Sequence, residues 1–186
     1  IVKIVSHGGG SKNIEAVKSS FNELKNLNFS AEQIVKTANN IGGSKNIDAV
    51  KNSYEELKNL NFSAEQIVGI VSHHGGSKNI EAVKNSFVVL KNLNFSAEQI
   101  VKIVSHDGGS KNVEAVKNSF NVLKNLNFSA EQVVKMVGHN GGSKNIEALK
   151  NSFMDLKKLN FSAEQIVSMV SHGGGSKNIE AVKNSF

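Results

Sequence analysis

The sequence predicts an all-α solenoid of two-helix repeats, and three observations point there. The phrase "FSAEQ" opens at Phe29, Phe62, Phe95, Phe128 and Phe161, always 33 residues apart. A period between 20 and 50 residues signals units that bury an apolar face only against their neighbours. Each period also carries two apolar stripes recurring at threes and fours, as buried helix faces require. No stretch shows the alternation of a strand. The expected organisation is one array: a partial repeat 1–28, repeats 29–61, 62–94, 95–127 and 128–160, and a partial repeat 161–186. Both ends cut through a repeat, so a longer natural array is expected.

The repeat at 95–127 justifies each element in turn. Ser96 is a good helix N-cap, and Gln99 three residues later completes a capping-box spacing. Ile100, Val101, Ile103 and Val104 then give a first helix of about nine residues its apolar stripe. Gly108 and Gly109 are expected to stop that helix, because glycine tolerates the left-handed conformation. A longer second helix is expected from about Ser110, with Val113, Val116, Phe120, Val122, Leu123 and Leu126 on its buried face. Ala115 and Ser119 are small enough to let neighbouring helices approach. Phe95, Phe120 and their equivalents read as core rather than as platforms for stacked bases.

Composition narrows the function classes. The chain has no Cys, so neither a disulfide framework nor a thiolate metal site is available. No apolar run approaches the ~18 residues of a membrane span, and no signal-peptide pattern is present. Net charge is +6, and all 22 basic residues are Lys. Without a guanidinium fork, these charges act as points on an anionic partner.

The repeats differ most informatively at a doublet before the paired glycines. In chain order it reads His7-Gly8, Asn40-Ile41, His73-His74, His106-Asp107, His139-Asn140 and His172-Gly173. The first position is always His or Asn, while the second takes five residue types in six copies. All six histidines lie in the doublet, and twelve of the 16 glycines form the pairs that follow. Variation late in the second helix is ordinary surface drift. Gly, Ile, His, Asp and Asn are not interchangeable in one loop, so each copy is expected to face a different partner group.

Catalysis is disfavoured. An acid–base dyad or metal cluster needs its His and carboxylate in one place, but only 95–127 has His-Asp. His73-His74 is a poor chelate without a third ligand, so no metal and no cofactor is expected. The phosphate-loop pattern GxxxxGK[ST] is not matched. Lys12, Lys45, Lys78, Lys111, Lys144 and Lys177 sit in the first turn of each second helix, where the helix dipole disfavours a cation. Their repetition suggests an anion held by lysine together with the glycine N–H groups: Gly9 and Gly10, Gly42 and Gly43, Gly75 and Gly76, Gly108 and Gly109, Gly141 and Gly142, Gly174 and Gly175. The bland alternative pairs Lys111 with Glu114 three residues on.

One repeat per base pair is geometrically feasible. Packed helices lie roughly 8–10 Å apart. A path at radius ~15 Å around a duplex advances roughly 9–10 Å per pair, given a rise of ~3.4 Å and a turn of ~35°. Tips coiling around the duplex would enter the major groove. There Asp107 could accept from the cytosine amino group, Gly8 and Gly173 leave room for the thymine methyl, and Asn140 could bond a purine N7, preferably guanine. Ile41 suits adenine through apolar contact, and His74 could donate to a purine. The preceding His or Asn (His7, Asn40, His73, His106, His139, His172) is placed to bond back to the first helix and brace the loop.

At these residues the chain resembles a known family. "FSAEQIVKIVSHDGGSKNVEAVKNSF" is similar to the repeats of transcription activator-like (TAL) effectors, closest in kind to divergent TAL-like arrays of marine-metagenome or endosymbiont type. The match runs through the whole chain, and EQ-x-V-x-x-x-x-H-x-G-G is specific at this period. The resemblance implies a right-handed superhelix on double-stranded DNA, with the second doublet residue reading one base and the first supporting the loop. Gly8, Ile41, His74, Asp107, Asn140 and Gly173 would then read approximately 5′-TA(G?)CGT-3′. It also implies an intracellular setting, the bacterial nucleoid or a host nucleus after delivery. No membrane, small-molecule substrate or obligate protein partner is implied. Plant-pathogen repeats usually have 34 residues, a proline in the second helix and a lysine directly after the glycines. Here the period is 33, proline is absent, and Ser110 precedes Lys111.

Two other readings belong beside this one. A protein- or peptide-binding helical solenoid would spread its variation across a concave surface, and the ankyrin T-P-L-H signature is absent. A single-stranded RNA reader would use side chains on helices with stacking aromatics.

Overall fold

The computed structural model describes residues 10–40, 42–72, 75–106, 108–138, 141–171 and 174–185. Among them there are helices and turns and no strand. The chain divides into two compact units, Ile1–Asn85 and Ser86–Phe186.

The first unit contains α1 (Gly10–Asn26), α2 (Ala31–Asn39), α3 (Ser44–Asn59) and α4 (Ala64–Val71), while α5 (Ser77–Asn92) spans the division. The long helices α1 and α3 pack side by side, as do the short helices α2 and α4, and α2 also packs on α1 and α3. The second unit holds α6 (Ala97–Ser105), α7 (Ser110–Asn118), α8 (Phe120–Asn125), α9 (Ala130–Gly138), α10 (Ser143–Asn151), α11 (Phe153–Lys158), α12 (Ala163–Ser171) and α13 (Ser176–Asn184). There α6 packs on α9 and α9 on α12, in parallel with α7 on α10 and α10 on α13. The short helices start at residues 31, 64, 97, 130 and 163, keeping the interval of 33.

Each short helix starts where the capping box predicts. Ser96 Oγ accepts from the Gln99 N–H at 3.2 Å, and Gln99 Oε1 accepts from the Ser96 N–H at 2.9 Å. The same reciprocal pair forms at Ser30, Ser63, Ser129 and Ser162. Two of a helix start's four orphan groups are thereby satisfied in every repeat. Equivalent apolar positions then enter the core: Ile34, Ile67, Ile100, Val133 and Ile166, and Leu24, Leu57, Leu90, Leu123 and Leu156, are all essentially inaccessible. Each such side chain contributes on the order of 1.5–3 kcal/mol by leaving water.

The structure moves the left-handed helix stop. The short helix α6 ends at Ser105 because His106 turns extended (φ −79°, ψ 157°), before the glycines are reached. Left-handed stops occur instead at the ends of the long helices, at Asn28, Asn61, Asn94, Asn127 and Asn160, with φ between 55° and 66°. Asn61 N–H bonds Lys58 O at 2.8 Å and Phe62 N–H bonds Leu57 O at 3.0 Å, the paired bonds of a Schellman ending. Asparagine tolerates this backbone because its short amide bonds locally. The next residue, Phe62, is thereby carried back into the core at 4% exposure.

Two further expectations change. The long helix is continuous in α3 and α5 but is interrupted at Ser119 (φ −110°, ψ 11°) and Ser152 (φ −106°, ψ 7°) in the second unit. Phe29, Phe62, Phe95 and Phe128 are core, whereas Phe120 and Phe153 are only half-buried. Their exposed faces are covered by Lys124 and Lys157, whose Nζ atoms lie 5.8 Å from the ring centroids.

Candidate nucleic-acid interface

The candidate surface is the set of tips where a short helix hands over to a long one. Two tips close with a described tight turn: Gly43 N–H donates to Asn40 O at 2.9 Å, and Gly109 N–H to His106 O at 3.0 Å. Four of the glycine pairs adopt φ of +115° to +120° and then +47° to +50°, and Gly174 and Gly175 adopt +154° and +50°, a succession that side-chain-bearing residues rarely adopt. The second glycine of each pair (Gly43, Gly76, Gly109, Gly142, Gly175) is buried and opens the long helix, while the first (Gly42, Gly75, Gly108, Gly141, Gly174) faces outward. Gly10, in the first repeat, has φ +35° with open space around its missing side chain.

A residue that sequence reasoning passed over holds the tip together. Asn46, Asn79, Asn112 and Asn145, the last residue of each "GGSKN", are wholly buried. Their amides donate back to a carbonyl nine residues earlier in the short helix: Asn79 to Ile70 O at 3.0 Å, Asn112 to Ile103 O at 3.1 Å and Asn145 to Met136 O at 2.8 Å. A carbonyl orphaned at a helix end thus gains a donor across the loop. The first glycine of each pair must lack a side chain for this to happen, since a Cβ on Gly108 would sit 2.6 Å from Asn112 Oδ1. The signal was in the sequence, because asparagine follows the tip lysine in every copy. It attracted no notice because asparagine beside a glycine pair resembles ordinary turn composition.

This bonding narrows how a phosphate could be held. Ser44 N–H donates to Asn13 Oδ1 at 3.1 Å, Lys45 N–H to Gly42 O at 3.0 Å and Asn46 N–H to Gly43 O at 3.1 Å. The donors at the start of α3 are therefore engaged within the protein. Lys111 and Asn112 repeat the two turn bonds at 2.9 and 3.1 Å. The second glycines, from Gly43 to Gly175, are themselves buried. What the tips present to an anion is the lysine ammonium. Lys12, Lys45, Lys78, Lys111, Lys144 and Lys177 are all exposed, and none takes part in an ion pair among the described residues. Lys111 does not engage Glu114.

The ends of each hairpin differ in charge. The long helices α3, α7, α10 and α13 carry no acid in their first turn, at the tip. The short helices begin, away from the tip, with Glu32, Glu65, Glu98, Glu131 and Glu164. Lys36, Lys102 and Lys135 add positive charge in the last turn of three short helices. At each described tip an anion would meet the exposed lysine.

Of the bracing residues, Asn40 and His106 are described. Asn40 Nδ2 donates to Lys36 O at 2.7 Å in its own helix and to Ser72 Oγ at 3.1 Å in the following repeat. The His106 ring lies against Gly138, where a Cβ would come within 3.1 Å of Nε2. His7, His73, His139 and His172 lie outside the described residues, as do Gly9 and the six base-reading candidates Gly8, Ile41, His74, Asp107, Asn140 and Gly173.

Among the described residues, no helix is long and apolar enough to cross a membrane, and no three His, Asp or Glu side chains are grouped to hold a metal ion. Neither the protein-family models nor the curated proteins contain a significant match to the chain.

Proposed function

We propose that the protein is a TAL-like repeat array, a right-handed solenoid of 33-residue hairpins that binds double-stranded DNA. Consecutive tips follow the major groove, and the second doublet residue of each tip selects one base. Gly8, Ile41, His74, Asp107, Asn140 and Gly173 would address approximately 5′-TA(G?)CGT-3′. The observation that carries this reading is the recurrence, at the opening turn of each long helix, of an exposed lysine with no ion pair among the described residues, four positions along the chain from the loop position whose chemistry varies most. A uniform cation next to a variable reader is the division of labour between positioning on phosphate and reading of bases. The described tips support it further, since the backbone that follows the doublet is tied down by internal hydrogen bonds.

The test is a duplex titration at fixed salt with the six-base site varied one position at a time. Discrimination at each position, each mismatch weakening binding by ~1–3 kcal/mol, is the expected result. Equal affinity for all duplexes would remove base reading, and tighter binding to single-stranded RNA would replace the proposal.

A further inference from the structure

We infer that the tips at Asn40 and His106 are braced by the repeat that follows them, so that the residue that caps or ends the following short helix tunes the base preference of the tip before it. This rests on the DNA-reading proposal and deepens it. The residues concerned are Ser72, acting on the tip at Asn40, and Gly138, acting on the tip at His106.

Two independent contacts, one in each unit, carry the inference. In the first unit the Asn40 amide is held at two points, Lys36 O at 2.7 Å in its own repeat and Ser72 Oγ at 3.1 Å in the next. Ser72 is itself fixed, since its hydroxyl donates to Val68 O at 2.6 Å and leaves an oxygen lone pair for Asn40. The chain Asn40–Ser72–Val68 ties a loop in repeat 29–61 to the helix of repeat 62–94. In the second unit the equivalent pair is His106 and Gly138, again 32 residues apart. Here the larger imidazole occupies the space that a side chain at 138 would need, with Nε2 3.1 Å from a Cβ at that place. In both places the first doublet residue is seated against the equivalent position of the following repeat. Ser105, the counterpart in repeat 95–127, instead donates within its own helix to Lys102 O at 2.8 Å. The doublet's first residue adjoins the reading residue in the chain, so a change in its seating moves the reader. Ser72 and Gly138 are positioning residues that act through Asn40 and His106.

The test separates this from a general effect on folding. Ser72→Ala and Ser72→Thr are titrated against duplexes varied at the second and third bases, with thermal unfolding confirming that each variant is folded. Losing the hydroxyl in Ser72→Ala is expected to cut discrimination at the second base roughly threefold to tenfold, the worth of one hydrogen bond. Discrimination at the third base, read by the mutated repeat itself, stays unchanged, and Ser72→Thr restores the second. Gly138→Ser is expected to disturb the fourth base and not the fifth. An effect confined to the third base, an equal weakening on every duplex, or no change at either base would overturn the inference. A parent protein that shows no base preference removes the DNA-reading proposal itself, and this inference with it.

Discussion

Asn13 and Gly43 form a lock between successive hairpins. A Cβ on Gly43 would collide with Asn13 Oδ1, and the same oxygen accepts the Ser44 N–H at 3.1 Å. Asn13 is 2% exposed, so its amide oxygen is committed to this junction and not to solvent. One residue of α1 therefore sets where α3 begins. Gly43→Ala combines this collision with a φ of +49°, and is expected to destabilise the protein by about 2–3 kcal/mol. Asn13→Ala, which strands the Ser44 N–H, is expected to cost about 1–3 kcal/mol. Urea unfolding of the two variants and their double mutant checks both, and strict additivity would contradict a direct lock.

The tip asparagine offers a second test. Asn112→Ala removes the donor to Ile103 O in a wholly buried site. An expected loss of about 1–3 kcal/mol follows from the unsatisfied carbonyl, whereas exposed Asn121→Ala should stay within about 0.5 kcal/mol. Similar melting temperatures for the two variants would contradict the buried bond.

Capping sets the scale for the short helices. Ser96→Ala removes the acceptor for Gln99 N–H, and is expected to cost about 0.5–2 kcal/mol. Because the box recurs in each repeat, Ser129→Ala is expected to give a similar value. A chemical-denaturation series measures both.

Binding separates the roles at one tip. Asp107→Asn is expected to move preference at the fourth base from cytosine toward a purine, worth ~1–3 kcal/mol. Lys111→Ala is expected to weaken all duplexes alike and lower the salt slope by about one contact. Titrations at two salt concentrations read both outcomes, and altered base preference in Lys111→Ala would contradict its assignment to phosphate.

A pH dependence belongs to the short helix α6. Lys102 Nζ lies 2.8 Å from Glu98 Oε1, and its hydrogen bond, then its charge, holds the Glu98 carboxyl below the ordinary carboxylate value. A carboxyl lowered on folding stabilises above its unfolded pKa and loses that contribution as pH falls through the folded one. The pair is exposed, so the effect on stability is small. Lys102→Ala is expected to raise the Glu98 titration midpoint, followed by NMR of the side-chain carboxyl. Any stability difference between this variant and the parent is expected to vanish in acid.

The hairpin elements were legible in the sequence because their causes are local. Ser96 and Gln99 bond each other within one turn, and Ile100, Ile103, Val113 and Val116 announce buried faces by spacing alone. The helix endings were less legible. Glycine was expected to stop the short helix, yet His106 turns extended first and the glycines open the next helix, while the left-handed endings of the long helices, at Asn61 and its equivalents, went unpredicted. Both residue types tolerate positive φ, so composition alone did not mark which of them follows a helix and which precedes one.

From sequence alone came the period of 33, the helical character, the variable doublet and the repeated tip lysine, each a matter of residue type and spacing. Tertiary structure decided what the tips are made of: the buried asparagine reaching back to Ile103, Ser44 held by Asn13, and Asn40 seated against Ser72. The physical reason is one of range. Caps and stripes act within a turn or two of helix, whereas these hydrogen bonds join residues 9 to 32 positions apart, and only packing brings their donors to their acceptors.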